Sequence, residues 1–166
     1  LALDLQGAFS VSAWIKLGNS PAGNRYIIDK RNLTNATDRN FILYVGNDGL
    51  ARFAFSSALK VNDCFAAGVT NIKDNQWHHV TGVYTGAIDK KCKLYADSLA
   101  VRNDNSVLGT PLGIGQDIYI GANVYQSNGK NLTNSKLNGW IDEVKIYNQK
   151  VLDNSSDFWM LKVLAL

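Results

Sequence analysis

Glutamate, proline and methionine are scarce in this chain of 166 residues. Glu143 is the only glutamate among 14 acidic residues, and there are 2 prolines and 1 methionine. Aspartate supplies the other 13 acidic residues, and asparagine occurs 18 times. Asp and Asn favour turns and loops, whereas Glu favours helices. The composition therefore indicates a β protein with long polar connections.

The chain also lacks long hydrophobic runs and a strong excess of charge. No apolar stretch reaches the ~18 residues that a membrane-spanning helix needs. The net charge is +3, from 17 basic and 14 acidic residues, and the basic residues are scattered apart from a cluster at 90–93. A nucleic-acid-binding protein would present a basic patch or stripe. We therefore expect neither a membrane span nor a nucleic-acid partner.

Short segments of alternating apolar and polar residues recur along the chain, and alternation predicts half-buried β-strands. The predicted strands cover residues 8–17, 26–30, 41–45, 50–56, 77–84, 93–96, 117–121 and 139–147. The Asp48-Gly49 pair between two of them is a hairpin signal. No helix signal precedes Asn154, and the segment after it fits either a short C-terminal helix or an apolar strand. The pattern predicts an all-β protein, a two-sheet antiparallel sandwich or jelly roll.

Four longer segments are predicted to be loops, at residues 18–25, 31–40, 57–76 and 122–138. Long loops in a compact domain often carry function. Sugar binding needs planar polar groups beside an aromatic face; the 122–138 loop offers both, and the 31–40 loop offers polar groups. The candidate ligand contacts are Asn123, Tyr125, Gln126 and Asn128 in one loop, and Arg31, Arg39 and Asn40 in the other. The alternative is that both loops are solvated polar surface.

The sequence carries no recognisable catalytic motif. Glycoside hydrolysis normally uses two carboxylates that flank the bond. Asp142 and Glu143 are adjacent, so in a strand they point to opposite faces, and the only histidines, His78 and His79, do the same. There is no nucleophile elbow, P-loop or dinucleotide-binding fingerprint. We predict that the protein is not an enzyme and that its histidines are structural. The open alternative is that two aspartates from different strands form a catalytic pair.

Three of the four tryptophans occupy predicted strand positions, namely Trp14, Trp77 and Trp140. Large aromatic side chains mostly pack in protein interiors. We interpret these three as core residues, with ligand stacking as the alternative.

Four stretches follow one another in an order and spacing typical of a known family: LDLQGAFSVSAWIK (3–16), NQWHHVTGVYTG (75–86), KLYADSLAV (93–101) and GWIDEVKIYNQKVL (139–152). They resemble the laminin G-like, concanavalin A-like jelly-roll domains of extracellular proteins. The resemblance implies two antiparallel sheets packed face to face, with a domain over residues 1–153 and a tail, 154–166, that packs on or completes the sandwich. The sequence departs from the family in lacking its first strand and in having Asp97-Ser98 where Asp-Gly is usual.

The resemblance also implies an extracellular or cell-surface location, which favours a Cys64–Cys92 disulfide over two buried thiols. It implies a structural calcium with Asp142 as a ligand. The alternative is that Asp142 accepts backbone hydrogen bonds. We expect that no cofactor is required. Four Asn-x-Ser/Thr triplets are candidate glycosylation sites: Asn32, Asn35, Asn131 and Asn154.

The prediction from the sequence is a non-catalytic extracellular recognition module, carbohydrate-binding or adhesive, within a larger secreted or surface protein. Its partner would be a glycan or an extracellular protein. The alternatives are an assembly domain of a surface appendage or adhesin and, less favoured, a glycan-cleaving enzyme. The absent first strand would leave a sheet edge for the tail at 158–166, an upstream segment or a neighbouring subunit to cover. The last of these would produce a strand-sharing homo-oligomer.

Overall fold

The structure is a computed structural model that describes residues 3–18, 22–97 and 99–150, with the backbone alone for 99–106 and 134. These residues form strands and no helix. In chain order the strands are β1 (Phe9–Leu17), β2 (Arg25–Arg31), β3 (Arg39–Val45), β4 (Leu50–Phe55), β5 (Cys64–Asn71), β6 (Trp77–Tyr84), β7 (Lys91–Ala96), β8 (Leu99–Ser106), β9 (Tyr119–Ile120), β10 (Asn123–Ser127), β11 (Lys130–Asn134) and β12 (Gly139–Tyr147).

Two five-stranded sheets form a sandwich. The first has the strand order β12-β1-β6-β7-β8, and the second has the order β5-β4-β3-β2-β9. Strands β10 and β11 form a separate hairpin. Every pairing is antiparallel. The predicted all-β, two-sheet antiparallel sandwich is confirmed, and the arrangement is consistent with a jelly roll.

One hydrophobic core lies between the sheets. Alternate residues of β1, from Phe9 to Leu17, are fully buried, as the two-residue period of a strand requires. The Phe9 ring lies 5.5 Å from the Phe41 ring and 5.8 Å from the Phe53 ring of the opposite sheet. It also lies 6.0 Å from Tyr84 of its own sheet. These aromatic contacts join the two layers.

Two of the predicted loops contain strands, so those two predictions are wrong. Strand β5 lies within 57–76, where the sequence CFAAGVTN has no clear polar alternation. The β10–β11 hairpin lies within 122–138 and turns at Asn128 and Gly129, whose φ angles are 50° and 73°. Asn-Gly is the residue pair that such a two-residue turn favours. The Asn-Gly turn signal is present in the sequence, but the strands beside it are too polar to show the apolar alternation that predicts a strand.

Residues 151–166 lie outside the described part of the chain. The prediction of a C-terminal helix or strand, the packing of the tail and the glycosylation site Asn154 all fall there. Within the described residues, β12 is an edge strand with β1 on one side. None of those residues forms a helix that could cross a membrane.

The predicted disulfide is confirmed. Cys64 in β5 of the second sheet is bonded to Cys92 in β7 of the first, with 5.5 Å between their Cα atoms. Both residues are fully buried in the main core. The bond therefore links the two layers covalently at the β5 edge of the second sheet.

Replacing Cys64 and Cys92 together with alanine should lower the free energy of unfolding by about 3–4 kcal/mol, because a cross-link over a separation of 28 residues restricts the unfolded chain. Urea denaturation of the variant measures the loss. Wild-type protein unfolded in the presence of a reductant serves as the control and should show a similar loss. An unchanged midpoint in both would contradict a stabilising role for the bond.

Candidate functional site

The outer face of the second sheet carries its own small cluster of side chains, separate from the main core. In β3, Phe41 and Leu43 face the core, while Ile42 and Tyr44 alternate with them onto the outer face. Ile42 packs there with Tyr26 of β2. The face is therefore lined with large side chains where an ordinary surface would be polar.

Aromatic and basic side chains follow one another across this face. Tyr26 and Tyr44 lie opposite each other in β2 and β3, and their rings stack with centroids 5.3 Å apart. The Arg31 guanidinium lies 4.8 Å from the Tyr26 ring, and that of Arg52 lies 5.9 Å from the Tyr44 ring. Both distances suit cation–π contact. We call Arg31, Tyr26, Tyr44 and Arg52, together with Arg39 described below, the arginine–tyrosine row.

A buried ion pair fixes one end of the row. Asp29 is fully buried, and its Oδ1 accepts a hydrogen bond from Arg31 Nε at 2.7 Å. Its Oδ2 accepts a second bond from Asn123 Nδ2 at 3.0 Å. Burial raises the pKa of Asp29 in spite of these partners. Burial would lower the pKa of Arg31, but Asp29 outweighs it and the pKa is raised.

The guanidinium of Arg31 retains an unused donor. Arg31 is only 4% exposed, and its Nη2 is buried without a hydrogen-bond partner among the described residues. Leaving a buried donor unpaired is costly, more so for a charged group. The guanidinium therefore keeps a buried charged donor without an acceptor among the described residues.

Arg39 places a second cation beside Arg31. The two residues are direct partners across the β2–β3 pairing. Arg39 Nε donates to Ala36 O at 3.0 Å and its Nη1 donates to Asn62 Oδ1, and neither acceptor is charged. Burial, and then the neighbouring Arg31, lower the pKa of Arg39. Among the described residues the two arginines share one paired carboxylate, Asp29, so the site has excess positive charge.

Arg52 differs from this pair because it is neutralised locally. Its Nη1 and Nη2 donate to the two carboxylate oxygens of Asp48 at 2.7 Å and 2.6 Å. The hydrogen bonds from Arg52 lower the pKa of Asp48 to about 2. Arg52 therefore contributes its position beside Tyr44 rather than net charge.

The two predicted ligand-binding segments meet beside the row. Gln126 N donates to Leu33 O at 2.7 Å, which joins the hairpin to the 31–40 segment. The bond from Asn123 to Asp29 joins the base of the hairpin to β2, next to this segment. Tyr125 is half-buried on the hairpin, whereas Gln126 and Asn128 are exposed. Of the predicted contacts, the structure groups Arg31, Arg39 and Asn123, with the rest of the hairpin at the rim.

Asn40 does not reach the site. It is fully buried, its Nδ2 donates to Leu5 O at 3.0 Å and to Leu112 O at 2.6 Å, and its Oδ1 accepts from Leu5 N at 3.1 Å. These bonds tie the N-terminal segment to β3. We therefore assign Asn40 a structural role in place of the predicted ligand contact.

Three of the predicted glycosylation sites border the same region. Asn32 and Asn35 lie in the 31–40 segment, and each accepts a hydrogen bond from the hydroxyl of its own triplet, at 2.8 Å from Thr34 and 2.7 Å from Thr37. Asn131 is exposed on β11. Glycosylation of these residues stays a prediction.

None of the three strand tryptophans is a core residue, so that interpretation is wrong. Trp77 is 45% exposed and Trp140 is 59% exposed. Trp14 is half-buried and its ring lies 5.2 Å from the ring of His79. All three lie on the outer face of the first sheet, because the core face of β1 is occupied by its alternate residues.

Asp142 and Glu143 lie at an irregularity in the edge strand. Glu143 has a φ of 46°, and β12 has one extra residue there opposite β1, so simple alternation does not hold. Asp142 Oδ1 accepts a hydrogen bond from Glu143 N at 2.8 Å, and Glu143 Oε2 accepts one from Lys145 Nζ at 2.6 Å. The described residues contain no group of three or more His, Cys, Asp or Glu able to hold a metal. Calcium binding at Asp142 stays a prediction.

His78 is bound by two aspartates. Its Nδ1 lies 2.7 Å from Asp97 Oδ2, and its Nε2 lies 2.9 Å from Asp74 Oδ1. Burial disfavours the charged imidazole, but the hydrogen bonds to Asp97 and Asp74 outweigh it and raise the pKa of His78 above 6.5. Both ring nitrogens are engaged, which is the arrangement of a structural histidine.

Because its folded-state pKa is raised, His78 should stabilise the fold fully below pH 6.5 and lose that contribution as the pH rises through the folded-state pKa. His78→Gln should therefore cost more stability at pH 5.5 than at pH 8.5. Urea denaturation at both pH values measures the difference, which we expect to be about 1 kcal/mol or less. An equal loss at both pH values would contradict the charged pairing.

Comparisons with known proteins place this architecture in a family. Residues 1–155 match the laminin G-like family Laminin_G_3, described as the concanavalin A-like lectin/glucanases superfamily. No curated protein matches the sequence significantly.

Several solved structures share the fold at low sequence identity. The CBM40 domain of the Ruminococcus gnavus IT-sialidase, bound to α2,3-sialyllactose, has a TM-score of 0.69 and 15% identity, over 91% of this chain and 81% of that one. The SAP-like pentraxin of Limulus polyphemus has a TM-score of 0.60 and 17% identity, over 92% of this chain and 70% of that one. Mouse laminin α1 domains LG4-5 have a TM-score of 0.62 and 18% sequence identity, over 90% of this chain and 38% of that one. These structures show the same fold, and the family match over residues 1–155 establishes that the protein belongs to the laminin G-like family of the concanavalin A-like lectin/glucanase superfamily.

Proposed function

We propose that the protein is a non-catalytic extracellular module that binds glycans carrying a carboxylate, at the arginine–tyrosine row. The observation that carries the proposal is the pairing of Arg31 with Arg39 beside a single carboxylate, with Arg31 Nη2 left unsatisfied. A ligand carboxylate would supply the missing negative charge.

The chemistry of the two arginines suits a planar anion. A guanidinium presents its donors in a fork that matches the two oxygens of a carboxylate. Arg39 is half-buried and so is accessible, whereas Arg31 lies behind it. We therefore assign the direct contact to Arg39 and assign to Arg31 the supporting positive charge.

The rest of the sugar would be held by the tyrosines and the hairpin. The faces of the Tyr26 and Tyr44 rings are taken by each other and by arginines. A sugar would therefore meet ring edges and hydroxyl groups. Burial raises the pKa of Tyr44, so its hydroxyl stays protonated and can donate. Tyr125 and the exposed amide of Gln126 lie at the rim, where polar groups give orientation and specificity.

Related structures support this class of ligand. The R. gnavus CBM40 domain is described as bound to α2,3-sialyllactose, and another structure of it as bound to α2,6-sialyllactose. The sialic acid of both ligands carries a carboxylate. A buried disulfide supports an extracellular location, because such bonds persist in oxidising compartments.

The two carboxylates that bond to arginines of the row, Asp29 and Asp48, are not arranged for hydrolysis. Asp29 is buried and bonded to Arg31 and Asn123. Asp48 is held at both oxygens by Arg52. A glycosidase needs two carboxylates free to act on the bond. This supports binding rather than cleavage.

Arg39→Gln should weaken binding of 3′-sialyllactose by about tenfold or more, because a hydrogen bond to a charged group contributes about 1.5–3 kcal/mol. Isothermal titration calorimetry measures the affinity, with lactose as the uncharged ligand. Arg52→Gln is the matched control, since Asp48 already neutralises Arg52, and it should change the affinity less than threefold.

Binding of lactose as tight as that of sialyllactose would contradict recognition of the carboxylate. Equal losses in Arg39→Gln and Arg52→Gln would contradict the assignment to Arg39. Melting temperatures of all three proteins show whether a lost affinity reflects a lost fold.

A further inference from the structure

The outer face of the first sheet, on the opposite side of the sandwich from the arginine–tyrosine row, carries a second group of aromatic residues. Lys16 of β1 lies directly opposite Trp77 of β6 on one side and directly opposite Trp140 of β12 on the other. Directly opposite residues of antiparallel strands share a face. We call these three residues the tryptophan row.

Both indoles of the row are open to solvent. Trp77 is 45% exposed and Trp140 is 59% exposed, whereas the neighbouring Ile15 and Leu17 are fully buried on the other face of β1. Lys16 Nζ lies 5.5 Å from the centre of the Trp140 ring. This cation–π contact helps to fix the Trp140 side chain. A ligand that covered the two exposed indoles would bury a large apolar area, which is strongly favourable.

The spacing of the indoles follows from the sheet. They stand on strands separated by one strand, β1. Neighbouring strands lie about 4.8 Å apart, so the two positions are about 10 Å apart. That separation is close to the length of one disaccharide in an extended β-1,4-linked chain. Alternate sugar rings of such a chain would therefore lie over the two tryptophans.

The surroundings of the indoles favour a sugar over a protein partner. The chain positions that precede Trp77 are Asn75 and Gln76, and Asn138 lies two residues before Trp140; all three are exposed. Protein interfaces bury a contiguous apolar centre, whereas sugar sites combine aromatic rings with planar polar groups. Lys16 lies between the two exposed indoles, so they do not form such a contiguous apolar centre, and Trp14 on the same face is half-buried.

We propose that the tryptophan row is a second glycan-binding site, which takes an extended neutral β-1,4-linked polysaccharide chain. The pyranose rings stack on Trp77 and Trp140, and Lys16 between them bonds to hydroxyl groups of the sugar. The site does not use the arginines of the other face. A glycan or surface that presents both kinds of ligand would be bound by two sites at once, which raises the overall avidity.

Affinity electrophoresis tests the proposal, with native gels that contain xylan, hydroxyethylcellulose or no polysaccharide. The wild-type protein should be retarded by at least one of the two polymers. The double variant Trp77→Ala, Trp140→Ala should bind that polymer about tenfold more weakly or not at all. The variant Trp77→Phe, Trp140→Phe keeps aromatic faces and should retain most of the retardation. Because both side chains are exposed, circular dichroism should show unchanged melting.

Three results would overturn the proposal: no retardation of the wild type by either polymer, equal retardation of the alanine variant, or a wild-type dimer that becomes monomeric in the alanine variant. The last would identify the row as an interface between copies of the chain. The alanine variant should still bind 3′-sialyllactose, and Arg39→Gln should still be retarded by the neutral polymer. Failure of either site is thus distinguishable from failure of the other.

Discussion

The buried carboxylate of Asp29 is the constraint on which the candidate site depends. It bonds Arg31 within its own strand and Asn123 at the base of the hairpin, so one side chain sets both the basic end of the row and the position of its rim. Burying an ion pair brings little net stability, because desolvation offsets the attraction. We interpret Asp29 as a residue that positions Arg31 for binding, since a hydrophobic pair would serve the fold at least as well.

The two sheets present different chemistry on their outer faces while sharing one core. The second sheet carries guanidinium groups and stacked tyrosines, and the first carries exposed indoles beside a lysine. The Cys64–Cys92 bond and the aromatic contacts of Phe9 fix the layers relative to each other. Binding groups held on strands of a cross-linked sandwich lose little freedom when a ligand arrives. Rigid recognition therefore follows from the construction of the core.

The sequence was sufficient to predict the sandwich and most of its strands, because alternation is strong wherever one face meets the core. It failed at β5, at β8 and at the hairpin, where polar or small residues hide the two-residue period. The alternation also contained a signal that the tryptophan interpretation overlooked. Trp14 alternates onto the same face of its strand as Lys16, opposite to the core residue Ile15. Trp77 likewise lies on the same face as His79, opposite to the core residue Val80. Those positions face away from the core.

The site itself was only partly predictable. Arg31, Arg39 and Asn123 emerged because they lie in or beside polar segments. Tyr26, Asp29 and Tyr44 lie inside strands, where their pattern resembles ordinary alternation. Their meeting depends on the β2–β3 register, which has irregularities on both sides of Asp29. A register of that kind is a tertiary property that no local pattern encodes.

In the proposed binding mode, the Arg31–Arg39 pair binds a carboxylate of the ligand. The most direct measurement is nuclear magnetic resonance of the arginine Nε–Hε groups during titration with 3′-sialyllactose and, separately, with lactose. We expect the Arg39 signal to shift most, the Arg31 signal to shift less and the Arg52 signal to stay nearly fixed, with no such pattern for lactose. Shifts confined to other residues, or the same shifts with both sugars, would contradict it.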